Sequence, residues 1–189
     1  MSASATFPTA KQADIVVLMD TTGSMSGCIN ILKERCVDFS RQLTKQALEH
    51  RFALIGFGDT SEPQWLDPHD FTQSAEEFRA AVAGVQRFDG GDLPESALDA
   101  IEAALALPFD KGAIRRFYLV TDAPYHEPSK RGATAADIAA RLEKEQVLLY
   151  VFSRAEFQAD YARVIGQSGK FREIEDFGEV LSEGRILED

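Results

Sequence analysis

Asp14-Ile15-Val16-Val17-Leu18-Met19-Asp20-Thr21-Thr22-Gly23-Ser24 is the stretch that decides the fold. Ile15 to Met19 is an unbroken apolar run rich in β-branched residues. A strand with one solvated face would alternate, so this one belongs to a parallel sheet buried on both faces. The run stops at a carboxylate, Asp20. A small, polar turn follows, and then Ile29, Leu32, Cys36, Phe39, Leu43 and Ala47 recur at three- and four-residue steps, the period of a long amphipathic helix.

The same unit repeats along the chain. Phe52 to Phe57 reads as a second buried strand and Gly58 to Pro63 as a turn. Gln64 to Asp70 reads as a short edge element, because Pro63 and Pro68 cannot donate to a central ladder. Phe78, Val82 and Val85 mark a helix face, as do Leu98, Ile101 and Leu105. A strand is expected at Phe117 to Thr121, a helix at Ala135 to Gln146 and a strand at Val147 to Phe152. A helix carrying Phe157, Tyr161 and Ile165 and a short strand around Lys170 to Ile174 come next. Glu179 to Asp189 reads as a short terminal helix with a solvated face. The alternation predicts an α/β, Rossmann-like, doubly wound and mostly parallel central sheet of about six strands. It has one short antiparallel edge strand and helices on both faces. Residues 1–12 are expected to be a flexible segment and 13–189 a single domain. In such sheets ligands bind beyond the carboxyl ends of the strands, at a topological switch point.

Composition narrows the function. A net charge of -11 repels phosphate backbones and anionic lipid heads and concentrates cations, which disfavours nucleic acid and membrane as partners. Residues 1–12 lack the apolar core of a secretory signal and no run reaches membrane-spanning length, so a cytoplasmic location is expected. Cys28 and Cys36 fall about two helical turns apart on one face, too far for a disulfide, and are expected to be reduced core thiols. Without a Cys/His cluster a structural zinc site is disfavoured.

Three acidic loops should meet at the sheet edge: Asp20-Thr21-Thr22-Gly23-Ser24, Gly90-Gly91-Asp92-Leu93-Pro94-Glu95 and Thr121-Asp122-Ala123-Pro124. Converging carboxylates repel one another and take up protons unless a cation neutralises them. A ligand set of carboxylates and hydroxyls, without sulfur or imidazole, suits Mg²⁺ or Mn²⁺, and Mg²⁺ commonly keeps positions open for water or an incoming ligand.

The first loop resembles the Asp-x-Ser-x-Ser element of the von Willebrand factor A family, with Thr22 replacing the first serine, and the likeness extends over nearly the whole chain. The resemblance implies a metal-ion-dependent adhesion site. There an aspartate and two hydroxyls come from the first loop, a threonine from the second and an aspartate from the third. Carried over, the ligands fall on Asp20, Thr22, Ser24 and Asp122. The second loop departs from the common threonine pattern and is similar to a subgroup with Gly-Gly-Asp-x-Pro-Glu there and Asp-Ala-Pro in the third loop. This adds Asp92, directly or through water, since a third direct carboxylate would over-neutralise a divalent ion. The family implies binding rather than catalysis: a protein partner offers an Asp or Glu carboxylate to the open metal position.

Each residue also has a plainer reading. Ser24 or Ser26 could cap a helix, and Asp92 with Glu95 has capping-box spacing. Asp122 could start a turn with Pro124. His126 and Glu127 read as a solvated loop, Asp59 as a turn residue, and Trp65 and the phenylalanines as packing. Two alternative functions remain. In a haloacid-dehalogenase-like phosphotransferase or phosphatase Asp20 would be the nucleophile, although Thr22 stands where the second acid belongs. In a scaffold the metal would be purely structural.

Overall fold

The Ile15 to Met19 run lies in the middle of a six-stranded sheet. A computed structural model of the chain describes residues 12–45, 49–89, 93–167 and 169–183. Its strands are β1 (Gln12–Asp20), β2 (Glu49–Phe57), β3 (Leu66–Thr72), β4 (Ile114–Val120), β5 (Val147–Ser153) and β6 (Lys170–Glu173), in the order β3-β2-β1-β4-β5-β6. All neighbours pair in parallel except β2 and β3. The antiparallel strand is the edge strand, which is where Pro68, opposite Ile55, can sit without breaking a ladder on its outer side. β1 begins at Gln12, one residue inside the segment expected to be flexible; residues 1–11 lie outside those described.

Among the described residues six α-helices cover the sheet: α1 (Ser26–Lys45), α2 (Ala75–Gly84), α3 (Ala97–Leu105), α4 (Ala135–Lys144), α5 (Gln158–Ile165) and α6 (Phe177–Glu183). The pleat of β1 sorts its residues between two cores. Ile15, Val17 and Met19 pack with Leu32 and Phe39 of α1, Phe78 and Val82 of α2, and Phe177 and Leu181 of α6. Val16 and Leu18 pack with Leu98 and Ile101 of α3, Ile138 and Leu142 of α4, and Tyr161 and Val164 of α5. Ile15 to Met19 are each at most 1% exposed, which accounts for the absence of polar alternation in that run.

Two expectations change. The expected terminal helix is present as α6, starting two residues earlier and keeping Glu179 and Glu183 exposed, but its other face is core: Phe177 and Leu181, one turn apart, are fully buried, and the Phe177 ring meets that of Phe152 at 5.1 Å. Its continuation, 184–189, lies outside the described residues, as does Ala47. Of the two free cysteines only Cys36 is a core thiol. Cys28, near the start of α1, is half-buried.

The chain leaves β1 on the β2 side and later returns on the other side as β4, so the switch point lies between the carboxyl ends of β1 and β4. Gly58, just past β2, permits a close approach there. A Cβ at this position would stand 2.7 Å from Phe88 Cβ. The Phe88 N–H donates to Thr21 O at 3.3 Å, which docks the segment leading to residues 90–92 onto the first loop. Among the described residues no helix is long and apolar enough to cross a membrane.

Candidate metal centre

Asp20 ends β1 on the same side of the pleat as Val16 and Leu18, and its side chain is fully buried. Its Oδ1 accepts from the Thr22 backbone N–H at 3.0 Å and from the Thr22 hydroxyl at 2.7 Å. Its Oδ2 accepts from the Thr121 hydroxyl at 2.7 Å. Thr121 follows β4 in step with Phe117 and Leu119 on that same face. Burial raises the proton affinity of Asp20 above the ordinary carboxylate range. The bonds from Thr22 and Thr121 oppose the rise, and the negative charge of Asp122 adds to it.

Thr22 holds an extended backbone (φ -65°, ψ 166°), and residues Gly23–Met25 form one tight helical turn that runs directly into α1. The capping alternative for the serines is not what the structure contains. Ser26 Oγ donates to Gly23 O at 3.1 Å, whereas Ser24 Oγ donates to Asp122 Oδ1 at 3.1 Å, joining loops 98 residues apart. Asp122 Oδ2 accepts from Arg154 Nη2 at 2.9 Å. The third loop is held from below by Tyr161, whose buried hydroxyl donates to Ala123 O at 2.8 Å.

The structure therefore brings Asp20, Thr22, Ser24 and Asp122 to one rim. Asp92 lies outside the described residues. The end of its loop is tied down: Glu95 N–H donates to Pro124 O at 2.9 Å and His126 N–H to Glu95 O at 3.0 Å, so the second and third loops run side by side. The capping-box alternative fails in this geometry. α3 begins at Ala97 after Ser96, which leaves Glu95 ahead of the helix rather than in its first turn. Ser96 Oγ instead accepts from Thr60 N–H at 2.8 Å. His126 is not freely solvated either. It is half-buried, with Nε2 3.6 Å from Oδ2 of the buried Asp59. Asp59 is the turn residue expected, its Oδ1 accepting from Ser61 N–H at 2.7 Å. Glu127 is held below the usual carboxylate range by the Ala135 N–H and by Arg163.

Thr22, Ser24, Leu93, Glu95, Asp122 and Arg154 line a shallow depression of about 350 Å³, which the Thr22 hydroxyl links to the buried Asp20. Leu93 is 66% exposed, which makes it the large apolar side chain most open to an incoming surface among the described residues. Two residues of this site carry roles that the motif does not reveal. Thr121 supports Asp20, and its only sequence signal is its place just before the strand-end Asp122. Arg154 pairs with Asp122, and its signal is its position directly after β5, on the same rim.

These donors fit a hard cation. The hydroxyl protons of Thr22 and Ser24 are given to carboxylates, which leaves their oxygen lone pairs available, and the donor set is oxygen throughout. Among the described residues no three Asp, Glu, His or Cys side chains group to hold a metal ion, so the described part of the site supplies two carboxylates plus hydroxyls.

Comparison with known proteins agrees with this fold. The chain matches no curated protein by sequence. Its fold resembles proximal thread matrix protein 1 from the mussel byssus, at a TM-score of 0.65 and 14% identity over 93% of this chain and 45% of that one. The same protein with a zinc-occupied MIDAS motif aligns at a TM-score of 0.63 and 14% identity, again over 93% and 45%. The pilus adhesin SpaC from Lactobacillus rhamnosus GG, in its open conformation, aligns at 0.64 and 12% identity over 92% of this chain and 29% of that one. The chain thus spans less than half the length of these solved chains. The von Willebrand factor A domain model matches residues 14–169. With most of its length covered by that match and its sheet ordered accordingly, the chain belongs to the von Willebrand factor A domain family.

Proposed function

We propose that this domain is a metal-dependent protein-interaction module of the subgroup with Gly-Gly-Asp-x-Pro-Glu in its second loop. Asp20, Thr22, Ser24 and Asp122 would hold the ion, and Asp92 would contribute directly or through water. Mg²⁺ suits this all-oxygen set, with Mn²⁺ as the alternative. A bound ion would supply a Lewis-acidic open position for an Asp or Glu carboxylate of a protein partner. The exposed Leu93 and the loop surface around it would supply selectivity.

The single observation that carries this reading is the Ser24 Oγ to Asp122 Oδ1 bond, which unites hydroxyl and carboxylate donors from loops 98 residues apart. The byssus protein with zinc in its MIDAS motif supports it. The phosphotransferase alternative fares worse: Thr22 stands where the second acid belongs, and its hydroxyl donates to Asp20 Oδ1 at 2.7 Å instead of handling a proton for the reaction. Calorimetric titration of the chain with Mg²⁺ and Mn²⁺ tests the proposal. Binding of one ion per chain is expected, abolished in Asp20→Ala with the fold retained by circular dichroism. Unchanged ion binding in Asp20→Ala, or none in the parent chain, would refute it.

A further inference from the structure

We infer that Arg154 is a tethered cation that occupies Asp122 when the metal ion is absent and must release it for the ion to enter. The inference rests on the metal-binding reading proposed above. Both oxygens of Asp122 are committed: Oδ1 to the Ser24 hydroxyl and Oδ2 to Arg154 Nη2 at 2.9 Å. A divalent ion shared by Ser24 and Asp122 would lie beside a guanidinium of the same sign of charge. Like charges in a half-buried rim repel more strongly than in bulk water, because Asp122 is only 13% exposed.

A second resting place for the guanidinium exists. Arg154 Nη1 is 3.8 Å from Glu156 Oε1, whose side chain is 63% exposed, so the arginine bridges one carboxylate inside the depression and one outside it. The Arg154 side chain is itself 53% exposed. An arginine keeps its charge across the neutral range, so this competition with the metal is present at every physiological pH, unlike one run by histidine. Arg154 lines the depression with Thr22, Ser24 and Leu93, so a guanidinium released from Asp122 would have its planar fork of donors within reach of a carboxylate approaching the ion. Metal entry and the freeing of a carboxylate-binding arginine are then one event.

The test is Mg²⁺ titration calorimetry on the full chain and its Arg154→Gln, Arg154→Lys and Arg163→Gln variants. Arg163 pairs with Glu127 and does not line the depression, so its variant makes the same change in net charge without touching Asp122. Loss of a partly exposed ion pair that competes with the ion predicts roughly two- to fivefold tighter Mg²⁺ binding in Arg154→Gln. Arg154→Lys should fall between it and the parent, and Arg163→Gln should stay within about twofold. In the parent chain the Arg154 Nε–H resonance, assigned by its absence from Arg154→Gln, should shift as Mg²⁺ saturates. Equal or weaker binding in Arg154→Gln, or an equal gain in Arg163→Gln, overturns the inference while leaving the metal site standing. No Mg²⁺ binding by any of the four chains overturns the metal reading and this inference with it.

Discussion

Replacing Thr121 by valine removes one hydroxyl and keeps the side chain's volume, so its effect is almost entirely polar. The lost donor serves Asp20 Oδ2 at 2.7 Å in a fully buried setting. A hydrogen bond to a charged group contributes about 1.5–3 kcal/mol. Thr121 Oγ also accepts from Ala123 N–H at 3.2 Å, a longer bond whose loss adds about 0.5–1 kcal/mol. Together Thr121→Val should cost about 2–4 kcal/mol, which for a domain of this length is roughly 5–15 °C in Tm. Urea unfolding at pH 7 in the presence of a chelator measures it. Thr121→Ser restores the donor and should recover most of the loss. The variant should also need a higher pH to bind Mg²⁺, since an Asp20 with one fewer donor holds its proton more tightly. A Thr121→Val chain within about 0.5 kcal/mol of the parent would refute the claim that Asp20 depends on this hydroxyl.

Asp20→Asn keeps the hydrogen-bond geometry, since the new amide can donate to Thr121 Oγ, while removing the buried charge. Because the folded chain holds the Asp20 proton more tightly than the unfolded chain, this group favours folding most at pH below the ordinary carboxylate range. That contribution is lost as pH rises through the raised folded value. Chelated Asp20→Asn should therefore be at least as stable as the parent at pH 7, with the difference vanishing in acid, and calorimetric scans at both pH values would detect it. Mg²⁺ at a hundredfold excess over its Kd should stabilise the parent by about 2.7 kcal/mol and the variant not at all. At the opposite end of the sheet, Arg51 grips the fully buried Asp14 with Nε to Oδ1 at 2.9 Å and Nη2 to Oδ2 at 2.7 Å. Arg51→Met strands that carboxylate and should cost about 3–5 kcal/mol in urea unfolding, yet leave Mg²⁺ affinity within about twofold.

Most of the architecture is legible in the sequence because its determinants are local. A run such as Ile15 to Met19 has only one environment that suits it, and the helix faces of α1, α3 and α5 recur at a fixed period. The burial of α6 is not legible, because its two buried residues, Phe177 and Leu181, are too few to stand out from the acidic residues around them. The site divides in the same way. Asp20, Thr22, Ser24 and Asp122 sit at strand ends, where position follows from the strand itself. The Arg154 to Asp122 pair spans 32 residues and depends on β5 lying beside β4, which no local pattern encodes. A His between two prolines resembles a solvated loop tip, yet the docking of the second loop on the third turns His126 against Asp59.

Charge balance links the two proposals. Without metal, Asp122 is neutralised by Arg154 and Asp20 is sheltered by threonine donors, so the rim offers little to an anion. A divalent ion would balance Asp20 and Asp122 between them and send Arg154 toward Glu156 or an incoming ligand. With the ion and Arg154 set against Asp20, Asp122 and Glu95, the loaded rim would then be close to neutral on a chain whose net charge is -11, and that relief from negative charge would be confined to one depression. Long-range repulsion would keep acidic surfaces away from the rest of the molecule, while the ion, Arg154 and the neighbouring Leu93 would reward one carboxylate beside an apolar contact. Selectivity in such a module would come as much from the repulsive body as from the attractive site. Raising ionic strength should accordingly weaken discrimination between acidic and neutral partners more than it weakens binding to the metal itself.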